Sequence, residues 1–112
     1  MSEDDLRREI ADGEGSSVEF KSTLRWNITA ARHDQAITLE VLKAIAAFMN
    51  SEGGVVIIGV SDNGSLLGIS SDQFKNDDQY SVNLYGYIKN GLGADAAAYV
   101  DATMHRIDGV SI

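Results

Sequence analysis

From Leu39 to Val60 the chain reads Leu-Glu-Val-Leu-Lys-Ala-Ile-Ala-Ala-Phe-Met-Asn-Ser-Glu-Gly-Gly-Val-Val-Ile-Ile-Gly-Val, an apolar helix, a glycine stop and an apolar strand in direct succession. At about 100° per residue, Ile37, Val41, Ala44, Ile45 and Phe48 share one stripe, and Leu39, Leu42, Ala46 and Met49 continue it round the back. Glu40, Lys43, Asn50 and the small Ala47 are left as a narrow wet face. So little polar surface predicts a helix near 36–50 that is covered on most sides, with its alanines letting neighbouring backbone come close. Gly53 is placed to take the left-handed turn that ends it. Val55 to Val60 does not alternate, which predicts a central strand buried on both faces, inside a sheet rather than at its rim, with helices over it.

A chain of 112 residues supports one core, so residues 1–112 read as a single domain. The absence of cysteine excludes a disulfide scaffold and a thiolate zinc site and fits a reducing compartment. No apolar run reaches the roughly 20 residues needed to span a bilayer, and an acidic Met-Ser-Glu-Asp-Asp start is the wrong charge for a signal peptide. A cytoplasmic protein is expected. The formal net charge of −8 opposes non-specific attachment to nucleic acid or anionic lipid, unless the nine Lys and Arg are segregated on one face.

Around the central block the pattern is α/β, of the α+β kind. Ser2 and Asp5 have capping-box spacing, and Leu6 with Ile10 makes a short opening helix. Val18-Glu19-Phe20-Lys21 alternates as a half-buried strand, with Glu19 and Lys21 side by side on the wetter face. Leu24 to Gln35 has no clean period and is expected to be an ordered loop. Asn63-Gly64 predicts a β-hairpin at 62–65 with two positive φ angles, returning Leu66 to Ile69 antiparallel. Ser71 or Asp72 is positioned to cap a helix near 73–90, which carries Tyr80, Leu84, Tyr87 and Ile88 on one stripe and stops at Gly91 or Gly93. Ala98, Val100, Ala102 and Met104 alternate as a further strand that Asp108-Gly109 turns back. With only Val110, Ser111 and Ile112 after the turn, the hairpin reads as cut short. The resulting open edge is where a second copy could pair to form a homo-oligomer. The expected product is a mixed sheet packed against two main helices.

Three blocks in this order and spacing resemble the Schlafen-type Alba-like domain: Val18-Glu19-Phe20-Lys21-Ser22-Thr23-Leu24-Arg25-Trp26-Asn27, then Ala44 to Gly54, then Ile58-Gly59-Val60-Ser61-Asp62-Asn63-Gly64 with Leu67-Gly68-Ile69. The resemblance covers about residues 14–110 and implies a DNA-binding module of the kind found in bacterial transcriptional regulators. That family also carries a label as a divergent ATP-binding domain. Here no Gly-x-x-x-x-Gly-Lys-Ser/Thr run exists, and Gly53-Gly54 follows a helix and precedes a strand, the reverse of a phosphate loop, so ATP is set aside.

Animal Schlafen proteins cleave RNA with three carboxylates, and the matching positions here are Glu14, Glu19 and Asp62. A nuclease reading implies that they hold magnesium or manganese against a phosphate, with Lys21 neutralising it. Each acid also has a plainer reading. Glu14 suits a solvated Gly-Ser loop, Glu19 an exposed pair with Lys21 contributing under about 1 kcal/mol, and Asp62 a turn. For binding without chemistry, Lys21, Arg25, Arg32 and Lys43 are candidates to meet phosphates, and Trp26 to stack on an unpaired base of DNA or RNA. Otherwise Trp26 is a lid over the main helix. Neither His33 nor His105 has partners at metal-ligand spacing. Three functions therefore stand together: a nucleic-acid-binding module, a metal-dependent endoribonuclease, and a protein-binding or dimerisation domain.

Overall fold

The computed structural model describes residues 2–108, 110 and 111. Helix α1, Glu3–Asp12, begins with the expected capping box. The Asp5 N–H donates to Ser2 Oγ at 3.1 Å, and the Ser2 N–H donates to Asp5 Oδ2 at 3.2 Å. Strand β1, Val18–Lys21, buries Val18 and Phe20 and leaves Glu19 and Lys21 half-buried, as period two requires. Two short strands follow, β2 (Trp26–Asn27) and β3 (Arg32–His33), and then helix α2, Gln35–Met49. Gly53, at φ 92, ends that helix by donating its N–H to the Phe48 carbonyl.

Strand β4, Val55–Ile58, lies parallel to β1, with Val18 opposite Val55 and Lys21 opposite Ile58. Parallel neighbours need a long crossover, and α2 supplies it. A 3-10 turn over Ser70–Asp72 precedes helix α3, Asp77–Leu92, and the short helix α4, Ala94–Ala97. Last come β5 (Arg106–Ile107) and β6 (Val110–Ser111), which pair antiparallel.

The β1–β4 pair separates two apolar clusters. Val18, Phe20 and Ile57 pack with Leu6, Val60 and Ile107 on the α1 side. Ile58, pointing the other way, packs with Leu24, Val41 and Leu42 and with Tyr80, Leu84 and Ile88 of α3. Both helices and strands are present, in the expected α+β class.

Several local expectations are corrected. Strand β4 is not interior to a wide sheet: it pairs only with β1 among the described residues, and Val55, Val56 and Ile58 are half-buried. Its apolar run is explained by the clusters above and below it. Leu39 and Met49 of α2 are exposed, so that helix is covered on fewer sides than its composition suggests. Within the Asn63-Gly64 turn only Gly64 has positive φ, because the Gly64 N–H closes a turn on the Ser61 carbonyl at 2.9 Å. The return is a single bridge, Val60 to Leu66, rather than a strand.

Helix α3 starts at Asp77 under the Asn76 side chain, not under Ser71 or Asp72, and ends at Gly93. The 98–104 strand is not formed. Asp101 to His105 has the expected alternation, with Ala102 and Met104 partly buried and Asp101 and Thr103 exposed, but no ladder. The Asp108-Gly109 turn falls partly outside the described residues, at Gly109, while Asp108 has φ 52.

Candidate nucleic-acid interface

The stretch expected to be loop, Leu24 to Gln35, holds the small β2–β3 hairpin, with Trp26 opposite His33 and Asn27 opposite Arg32. Its root is buried. Leu24 is fully enclosed, and a buried backbone must find partners for both its polar groups. The Leu24 carbonyl accepts from Thr38 Oγ1 of α2 at 3.0 Å. Its N–H donates to Asp72 Oδ2 at 2.8 Å, while the Arg25 and Trp26 N–H groups donate to Asp72 Oδ1 at 2.8 and 3.0 Å.

Asp72 is itself fully buried, so its charge is held by three consecutive amides. Arg25 closes the arrangement by donating Nε to the Asp72 carbonyl at 2.8 Å and stacking over the Phe74 ring, 3.7 Å from its centroid.

The outer half of the hairpin is fixed by Asn27 and Asp34. The Asn27 amide donates to Asp34 Oδ2 at 3.0 Å, and Asp34 Oδ1 accepts the Ala36 N–H at 3.0 Å, capping α2. These bonds, the Asn27 amide first, hold the Asp34 carboxyl below the ordinary carboxylate range. Trp26 is half-buried and meets the His33 ring edge-on at 5.3 Å, rather than roofing α2, a place that Leu24 takes. Ala31 sits at the tip with φ 53, a left-handed conformation that few non-glycine residues adopt.

Beside the hairpin root lies an open cleft of about 470 Å³. Glu14, Glu19, Lys21, Glu40 and Asp62 all line it. Glu14 Oε1 accepts the Phe20 N–H at 2.8 Å, and Glu19 pairs with Lys21 at 3.4 Å. A family model described as Schlafen, AlbA_2 matches residues 14–110, which takes in the cleft, the hairpin, the cluster around Leu24 and, apart from Leu6 of α1, the cluster around Phe20. The chain belongs to the Schlafen, AlbA_2 family. No curated protein and no solved structure matches it.

In this Schlafen-type domain, Glu14, Glu19 and Asp62 come to one cleft from a loop, a strand and a turn. They do not form a ligand set: among the described residues no three acidic or histidine side chains are close enough to share a metal ion. Glu14 is already held by the Phe20 amide.

The cations are similarly engaged. Arg32 pairs with Asp34 at 3.7 Å and Lys43 with Glu40 at 3.1 Å, both on the surface, and Arg25 is held at the hairpin root. Lys21 lines the cleft and pairs there with Glu19. His105 bonds Thr103 at 2.9 Å.

Sequence reasoning missed Asp72, Thr38 and Asp34. Asp34 carried a usable signal, an acid just before the helical period. Asp72 carried a misleading one, since a Ser-Asp pair ahead of a periodic stretch reads as a cap. Its true partners lie 46 to 48 residues earlier.

Proposed function

We propose that this domain binds nucleic acid through the β2–β3 hairpin and the cleft at its root, as the regulatory module of a bacterial, cytoplasmic transcriptional-regulator type of protein. Membership of a family of Schlafen-type nucleic-acid-binding domains supports the class. The observation that carries the surface is the hairpin itself. It is a short exposed ribbon, tied at its root, that presents the half-exposed Trp26 beside His33 with Arg32 on its outer strand. An aromatic ring next to a cation suits an unpaired base and its phosphate.

With a net charge of −8 and with Lys21, Arg32 and Lys43 paired to acids, the domain binds weakly, and affinity falls steeply with salt as counterions are released. Labelled single and double strands titrated at low salt should bind the parent and lose most of that affinity to Arg32→Glu and Lys21→Glu. Arg25→Glu is a poorer probe because Arg25 also holds the loop. Variants that bind like the parent place the contact elsewhere.

A second reading, a metal-dependent endoribonuclease, rests on the shared cleft of Glu14, Glu19 and Asp62 beside Lys21. Among the described residues these acids are not gathered as a ligand set for magnesium or manganese. That reading requires manganese to raise the melting temperature of the parent and not of Asp62→Ala, and equal shifts in both remove it. Self-association is a third reading, and its open edge moves from the 98–107 stretch to β4.

A further inference from the structure

Three amide N–H groups in succession, from Leu24, Arg25 and Trp26, converge on the carboxylate of one buried aspartate. Successive amides pointing at one centre make an anion-binding concavity, and here the anion belongs to the protein. The carboxylate reaches the hairpin from the far side of the chain, out of the turn that follows Ile69. Nothing local replaces it. Residues 24–26 form no helix, and strand pairing begins only at Trp26. The Trp26 carbonyl is also taken from within, by Thr23 Oγ1 at 2.6 Å. The Trp26 backbone is thus clamped at both polar groups, which fixes the point from which its side chain leaves toward His33.

We propose that Asp72 is the positioning residue of the nucleic-acid contact: its carboxylate sets the root of the hairpin and so the angle at which Trp26 is offered to a base. This rests on the reading of the hairpin as the contact surface. Asp72 touches no nucleic acid. It is fully enclosed, and its effect passes through the three amides. The chemistry demands a carboxylate, because three N–H donors share its two oxygens. An amide in its place keeps one acceptor and turns a donor toward the others.

Trp26 is the only tryptophan in the chain, so its fluorescence reports the hairpin alone. The test compares Asp72→Asn with the parent and with Leu6→Ala, a destabilising change in the cluster on the other side of the β1–β4 pair. For each protein, acrylamide quenching of Trp26, affinity for a labelled single strand at low salt, and the thermal melt are measured. Asp72→Asn is expected to keep its helical circular dichroism, to expose Trp26 to quencher, and to lose about tenfold in affinity, the scale of one charge-assisted hydrogen bond. Leu6→Ala should lower the melting temperature while leaving quenching and affinity at parent values.

If Asp72→Asn does not fold, Thr38→Val loosens the same root through the Leu24 carbonyl and should move quenching and affinity in the same direction. Parent-like quenching and affinity in whichever of these two variants is read overturn the inference while leaving the binding reading in place. Affinity that falls equally in Leu6→Ala overturns it too, since stability then accounts for the loss. A parent that binds no strand at all removes the binding reading, and this inference with it.

Discussion

The two outer edges of the β1–β4 pair are handled in opposite ways. Along β1 the edge is sealed by the loop just before it: the Gly15 N–H donates to the Val18 carbonyl at 3.0 Å, and Glu14 Oε1 takes the Phe20 N–H at 2.8 Å. Along β4 no strand is paired among the described residues, and the edge faces a cavity of about 990 Å³. Ile45 and Phe48 of α2, Leu84 and Ile88 of α3, and Ala102 and Met104 of the incoming segment border that space.

Tyr80 lines the same cavity, and its hydroxyl is buried without a hydrogen-bond partner among the described residues. One edge is closed by residues that are neighbours in the chain, at little entropic cost. The other depends on a segment that returns more than forty residues after β4, for which loop closure must be offset by packing. An unpaired edge is also where a strand from another molecule can add.

The largest expected effect comes where β4 ends. Gly59 has φ +100, and a Cβ there would lie 3.0 Å from the Gly68 backbone, while its carbonyl accepts both the Leu67 and Gly68 N–H groups. Gly59→Ala combines a left-handed conformation with a clash against backbone, and should cost about 1–3 kcal/mol or more in a urea melt. A change within the error of the melt would mean that the turn after β4 adapts freely, and that the open edge is not held by it.

A smaller effect is expected at the sealed edge. Glu14→Ala leaves the Phe20 N–H without its acceptor and should cost about 1 kcal/mol, whereas Glu14→Gln keeps an oxygen and most of the stability. Amide exchange sharpens the contrast. The Phe20 amide should be protected in the parent and exposed in Glu14→Ala, and the Val56 and Ile58 amides, on the unpaired edge, should exchange faster than the parent's Phe20. Equal protection on both edges would show that β4 is covered in solution.

The smallest effect at neutral pH belongs to Tyr80→Phe. Removing a buried hydroxyl that has no partner among the described residues should leave stability unchanged or raise it by up to about 1 kcal/mol, and a clear loss would reveal a partner. Burial first, and then the nearby Asp72 charge, raise the Tyr80 pKa above its ordinary value of 10.0. The folded state therefore holds its proton more tightly than the unfolded chain does. This contribution is fully present below about pH 10 and is lost as pH rises beyond it, so the parent should weaken in alkali more steeply than Tyr80→Phe.

Local periodicity and end chemistry were enough to determine α1 with its capping box, the alternation of β1, the α2–glycine–β4 block and the apolar stripe of α3. Each depends on residues within a few positions of one another, where dihedral preference and side-chain spacing act directly. The order of the three blocks also pointed to the family, whereas the cleft that Glu14, Glu19 and Asp62 share is formed only by the tertiary structure. Tertiary structure alone decided that Asp72 anchors a hairpin rather than a helix, because its three amide partners are brought to it by the packing of distant segments. It also decided that the alternating Ala98 to Met104 stretch forms no ladder. Alternation specifies which side chains face inward, and a strand further requires a neighbouring backbone within hydrogen-bonding reach.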